Sequence, residues 1–292
     1  MTFNENANIS SGKVSRRGRN TAIGVGGGGG LIAIALLLVS AFTGVDLTGL
    51  ASGAGGGGAT GPEEQLNCTA EQANTDDACR VQGAAASIDD FWVENSPALG
   101  IDYVTPPVVV FEGGTNTGCG SATSAVGPFY CPADTTIYLD TAFYADLRSK
   151  FGASGGPLAQ MYIIAHEWGH HIQTITGINS NLDLKDTGPD SDSVRLELQA
   201  DCFAGAWVGK VSTTEDAQGN TFLEPVTQQE IADALNAAAA VGDDNIQEQT
   251  QGQSNPESWT HGSSESRQKW FQIGFDSGPG ACNTFEVAGS EL

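Results

Sequence analysis

His166-Glu167-Trp168-Gly169-His170 constrains this chain more than any other run of residues. Two imidazoles spaced i, i+4 reach one cation together when the chain between them is helical. The flanks agree with a helix. Pro157 follows Gly155-Gly156 and suits the first helical position, Gly177 suits the position past the last turn, and Ile163, Ile164, Ile172 and Ile175 supply apolar contacts between them. The pattern therefore predicts a helix over 157–176. Glu167, beside the first histidine, is badly placed to bind the same cation but well placed to reach a water on it, which is the position of a general base. The alternative is a polar helical stripe without chemistry.

A third ligand separates these readings. Arg195 to Ala204 is a series of good helix formers, predicting a second helix from about Ser193 to Val211. On it Glu197 and Asp201 are four apart and share a face. A catalytic zinc takes three protein ligands and keeps one position for water, and two histidines with a glutamate is a known set, so Glu197 is the candidate third ligand. Asp201, one turn on, can accept a hydrogen bond from the far ring nitrogen of a ligating histidine. Both carboxylates could instead face solvent, but Leu196, Leu198, Ala200, Phe203, Ala204 and Trp207 make the segment too apolar to be wholly exposed. Zinc is argued from ligand type, since the same donors accept other divalent ions.

His166 to Gln173 (HEWGHHIQ) together with Glu197 to Gly205 (ELQADCFAG) resembles the putative neutral zinc metallopeptidase family of bacteria. More distantly it resembles membrane zincins in which H-E-x-x-H is followed by E-x-x-x-D. The resemblance extends from a basic stretch near Arg16-Arg17-Gly18 to Thr260-His261-Gly262-Ser263-Ser264 and Trp270-Phe271. It implies a zincin-like α+β metallopeptidase domain, with His166, His170 and Glu197 as zinc ligands and Glu167 as catalytic base.

Ala22 to Val45 carries no charge and, at about 1.5 Å per residue, is long enough to cross roughly 30 Å of hydrocarbon. It predicts a transmembrane helix over 22–45. Its strongly hydrophobic part, Leu31 to Phe42, is short, so a cleaved signal peptide is the competing reading. Lys13, Arg16, Arg17 and Arg19 before it, and Asp46, Glu63 and Glu64 after it, place residues 1–21 in the cytoplasm and the rest outside, as a single-pass protein of the cell membrane. Residues 46–67 read as a Gly-rich linker and 68–292 as the folded domain. The net charge of −23 argues against nucleic acid or anionic lipid headgroups as partners. All six cysteines lie beyond the apolar stretch and none forms a C-x-x-C pair, which suggests disulfides. The local pairs Cys68–Cys79 and Cys119–Cys131, with Cys202 reaching Cys282, are the favoured connectivity; a free buried Cys202 is the alternative.

Tyr103-Val104 and Val108 to Phe111, and then Thr135 to Leu139, read as strands ahead of the motif helix. Thr227-Gln228-Gln229-Glu230 reads as a capping box opening a helix that runs to Gly242, and a last helix from near Ser264 to Gly278 packs Trp270, Phe271 and Phe275 inward. Two histidines lie outside the metal pair. His171 points about 100 degrees away from His170 and reads as a supporting or surface residue. His261, in a Gly/Ser loop, is the candidate donor to the carbonyl oxygen that turns negative during peptide hydrolysis, with Tyr162, Tyr138 and Arg267 as alternatives. The function expected is zinc-dependent hydrolysis of a peptide or protein substrate. A zinc-dependent binding module without catalysis and a hydrolase of non-peptide amides are the competing classes.

Overall fold

Both predicted strands form and pair in parallel, as β3 (Val108–Phe111) and β7 (Thr136–Asp140), in a computed structural model that describes residues 2–18, 63–149 and 155–292. They lie in a five-stranded sheet whose order is β2 (Glu63–Gln65), β1 (Val14–Arg17), β3, β7 and β6 (Phe129–Cys131). Their β-branched and aromatic side chains alternate between faces: Val108, Val110, Ile137 and Leu139 enter the main core, whereas Val109, Phe111 and Tyr138 join Cys131 in a small second cluster. β6 (Phe129–Cys131) runs antiparallel to β7 and ends the sheet on that side. β4 (Gly114–Thr117) and β5 (Gly120–Thr123) form a separate hairpin.

β1 (Val14–Arg17) lies between β3, to which it is parallel, and β2 (Glu63–Gln65), to which it is antiparallel. This differs from the expected division into a cytoplasmic segment 1–21 and a folded domain beginning at 68. Phe3, Ile9 and Val14 are buried in the main core. The Phe3 amide donates to Asn74 Oδ1 at 2.7 Å, the Asn8 amide donates to Asp216 Oδ2 at 2.8 Å, and Arg17 bonds to Glu63, the Thr115 hydroxyl and the Asn116 carbonyl. Residues 2–18 are thus part of the folded body, joined to it by strand pairing and core packing. The expected transmembrane helix over 22–45 and residues 46–62 of the expected linker lie outside the described residues. Among the described residues, no helix is long and apolar enough to cross a membrane.

Helices dominate the second half, giving the expected α+β class. α1 (Ala70–Ala73) and α2 (Asp77–Leu99) follow β2, and α3 (Phe143–Ser149) follows β7. The motif helix is α4 (Pro157–Ile175), with proline in its first turn as expected. α5 (Asp192–Val208) carries Glu197 and starts at Ser191, whose side chain accepts from the Val194 amide. α6 (Gln228–Ala240) opens with the expected capping box of Thr227 and Glu230, and α7 (Asp243–Gln251) and α8 (Ser264–Ser277) follow.

Glycines set how closely α4, α5 and α8 approach. A Cβ at Gly169 on α4 would lie 2.8 Å from Ala200 Cα on α5, and one at Gly274 on α8 would lie 1.9 Å from the Cys202 carbonyl oxygen. The backbones therefore touch at these crossings. All six cysteines pair as favoured, Cys68–Cys79, Cys119–Cys131 and Cys202–Cys282, and the last ties α5 to the segment beyond α8.

Candidate metal centre

The contact of Gly169 with Ala200 brings the histidine face of α4 against the carboxylate face of α5. One ligand atom each from His166, His170 and Glu197 lies within 4.8 Å of the others. His166 Nε2 stands 3.1 Å from Glu197 Oε2, and His170 Nε2 stands 3.4 Å from Glu197 Oε1. The far ring nitrogens are engaged elsewhere. His166 Nδ1 meets Asp201 Oδ1 at 2.8 Å and His170 Nδ1 meets Gln173 Oε1 at 2.9 Å. Each acceptor calls for a proton on Nδ1, which turns the Nε2 lone pair toward Glu197. Two such nitrogens converging with a buried carboxylate fit zinc, which prefers nitrogen and oxygen donors in a three-ligand catalytic set.

Behind the ligands lies a buried polar frame. Asp201 Oδ1 also accepts from the Tyr162 hydroxyl and from Arg267 Nη2 at 3.0 Å, while Oδ2 accepts from Arg267 Nε at 2.7 Å. Burial works against ionisation of Asp201, but Arg267 and His166 beside it hold its carboxyl below the usual range. Burial opposes Glu197 likewise, yet His170 and His166 hold it well below that range. Gln173 is held by its own amide: Nε2 donates to the Leu196 carbonyl at 2.7 Å and to Gln199 Oε1 at 3.1 Å, which aims Oε1 at His170.

Glu167 is buried on the same groove, where loss of water raises its carboxyl pKa, and it takes a backbone hydrogen bond from Tyr130 on β6. His261 lines this groove too. Asp243, at the start of α7, positions it: Oδ2 accepts the amides of Thr260, His261 and Gly262 at 2.7, 2.6 and 3.0 Å, and Oδ1 lies 3.3 Å from His261 Nδ1. Burial disfavours the charged imidazole, but Asp243 raises its pKa.

The three alternatives to His261 are placed otherwise. Tyr138 lies in the second cluster and donates to Asp134; Tyr162 and Arg267 line the groove, but the Tyr162 hydroxyl and Arg267 Nε and Nη2 donate to Asp201 and Arg267 Nη1 donates to the Val241 carbonyl. His171 is buried as a supporting residue, with Nε2 donating to the Val104 carbonyl at 2.6 Å and Nδ1 3.2 Å from the Tyr130 hydroxyl. Sequence reasoning missed Asp243 and Gln173. Gln173 stood three residues past His170 on one helical face, a signal that was available. Asp243 had none, because only the folded loop brings it to His261.

A family model described as putative neutral zinc metallopeptidase matches residues 3–285. An uncharacterized protein of Mycobacterium tuberculosis is 47% identical over 222 residues, covering 75% of this chain and 74% of its own length. The uncharacterized Escherichia coli protein YpfJ is 43% identical over 267 residues, covering 89% of this chain and 87% of its own. No solved structure matches the chain.

Proposed function

Because the chain belongs to the putative neutral zinc metallopeptidase family, we propose that it hydrolyses peptide bonds at a zinc held by His166, His170 and Glu197. The carrying observation is the convergence of those three ligands with Glu167 beside them. Zinc, when bound, supplies Lewis-acid chemistry, lowering the pKa of a water to about 7 and polarising the scissile carbonyl. Glu167 takes the proton of the attacking water and passes it to the leaving amine. His261, oriented by Asp243, donates to the carbonyl oxygen as it becomes negative. Asp201 and Gln173 keep both ligand rings in the required tautomer. β6 supports an extended peptide as substrate, since an edge strand beside Glu167 can take an added strand by backbone hydrogen bonds.

Three disulfides favour an oxidising compartment outside the cytoplasm. In this reading any membrane attachment through 22–45 leaves residues 2–18 on the side of the catalytic body, which the pairing of β1 with β2 supports.

Replacing Glu167 by Gln tests the mechanism. Hydrolysis of an unfolded protein substrate should fall by about 10²–10⁴-fold while zinc content, measured by elemental analysis, is unchanged. Surviving hydrolysis would remove Glu167 as the base, and a native protein that takes up no zinc would remove the metal centre.

A further inference from the structure

Resting on the peptidase reading, we propose that the groove selects a substrate by one large, uncharged, apolar side chain in a residue next to the scissile bond. Ile163 precedes His166 by three positions and Glu167 by four, so it stands on the reacting face of α4, about 5–6 Å away Cβ to Cβ. The groove that Ile163 lines is walled also by Val126, Phe143 and Leu147 and, from α6 and its end, by Ala237 and Val241. These walls are fixed. Leu147 and Ala237 are buried in the main core, and Gly127 lies so close to the Phe143 ring that a Cβ there would stand 3.2 Å from it. The cavity measures about 250 Å³, which suits a side chain and the adjoining extended backbone better than a folded surface.

The charges on the groove belong to the reacting centre. Among the described residues, its ionisable side chains other than tyrosine are His166, Glu167, His170, Glu197, His261 and Arg267, and Arg267 Nε and Nη2 are directed at Asp201. A carboxylate entering the pocket would lose water and face Glu167 and Glu197. A lysine reaching past Ile163 would meet these five apolar walls and find no acceptor carboxylate on them. A leucine or phenylalanine side chain loses nothing comparable and covers the walls. Ala237 is the small residue of α6 on this groove, so a longer side chain there would take up part of its space.

The test uses the zinc-loaded full chain and a panel of quenched fluorescent peptides that differ in one residue beside the cleaved bond. Peptides with Leu or Phe should exceed the Ala peptide in kcat/KM by about 10–200-fold, and Asp and Lys should fall below Ala. Ala237→Leu should shift the preference toward Ala with zinc content unchanged. Phe143→Ala, which widens the wall, should lower the discrimination and serves if Ala237→Leu does not fold. Binding of the same peptides to the Glu167→Gln protein by titration calorimetry reads the pocket without turnover. Equal turnover across the panel, or binding blind to the varied residue, overturns the pocket. Ordered binding without hydrolysis by the native chain upholds the pocket and overturns the peptidase reading.

Discussion

Asp201 joins three side chains, His166, Tyr162 and Arg267, at one fully buried carboxylate. An asparagine there could still accept from His166, but it would turn an NH2 toward Arg267 and leave a buried guanidinium without its counter-charge. Asp201→Asn should therefore weaken zinc binding by about 10–100-fold, read by competition with a chromophoric chelator. It should also lower stability by about 3–5 kcal/mol in denaturant titration, because breaking a buried pair is worse than replacing it whole. An unchanged zinc affinity would show that Asp201 serves the fold alone. The role of Asp201 was legible because it shares a helical face with Glu197. That of Arg267 was not, since it reaches Asp201 across 66 positions and nothing local distinguishes it from the other basic residues.

Between elements, the decisive contact is the one that sets α4 against α5. Gly169 has no Cβ, and one placed there would meet Ala200 Cα at 2.8 Å, so Gly169→Ala must push apart the two helices that carry the ligands. It should lower stability by about 1–3 kcal/mol and weaken zinc binding as well, whereas a change to stability alone would mean that the ligands tolerate the shift. α2 offers a pH-dependent test. Burial, with Asp89 and Asp216 nearby, raises the Asp90 carboxyl to about 6. Its pKa in the unfolded chain is about 3.9, so folding favours the protonated form: Asp90 disfavours the fold above pH 6, and the penalty disappears below about pH 4. Asp90→Asn should thus raise the melting temperature at pH 7 and leave it nearly unchanged at pH 4; equal shifts at both would rule out titration as the cause. α4, α5 and α6 were legible from periodicity and caps. α2 was not, because its residues from Ala78 to Ile88 are buried on every side and leave no apolar stripe to read. Of the strand expected at Tyr103-Val104 and Val108 to Phe111, only β3 forms, and Tyr103-Val104 lie in the connection between α2 and β3.

For the whole molecule, the question is which side of a membrane each part occupies. Local hydropathy and the basic residues around Arg16 and Arg17 argue for a single crossing with the first residues in the cytoplasm. The sheet argues otherwise. Arg17, instead of meeting a membrane surface, bonds to Glu63, Thr115 and Asn116 and lies 5.5 Å from the centre of the Tyr138 ring. Ser15 donates to Glu63 across 48 positions, a pairing no window of local sequence contains. Withdrawing β1 would also leave β3 with an unpaired edge and empty the places of Phe3, Ile9 and Val14 in the core. This pairing supports the proposal that residues 2–18 share a compartment with the metal centre. Epitope tags at the two ends of the chain, probed with protease in sealed membrane vesicles of both orientations, should be cut or protected together. If one tag is cut while the other is protected, β1 is not part of the sheet in the cell, and deleting residues 2–18 should then leave the melting temperature unchanged where the sheet requires it to fall.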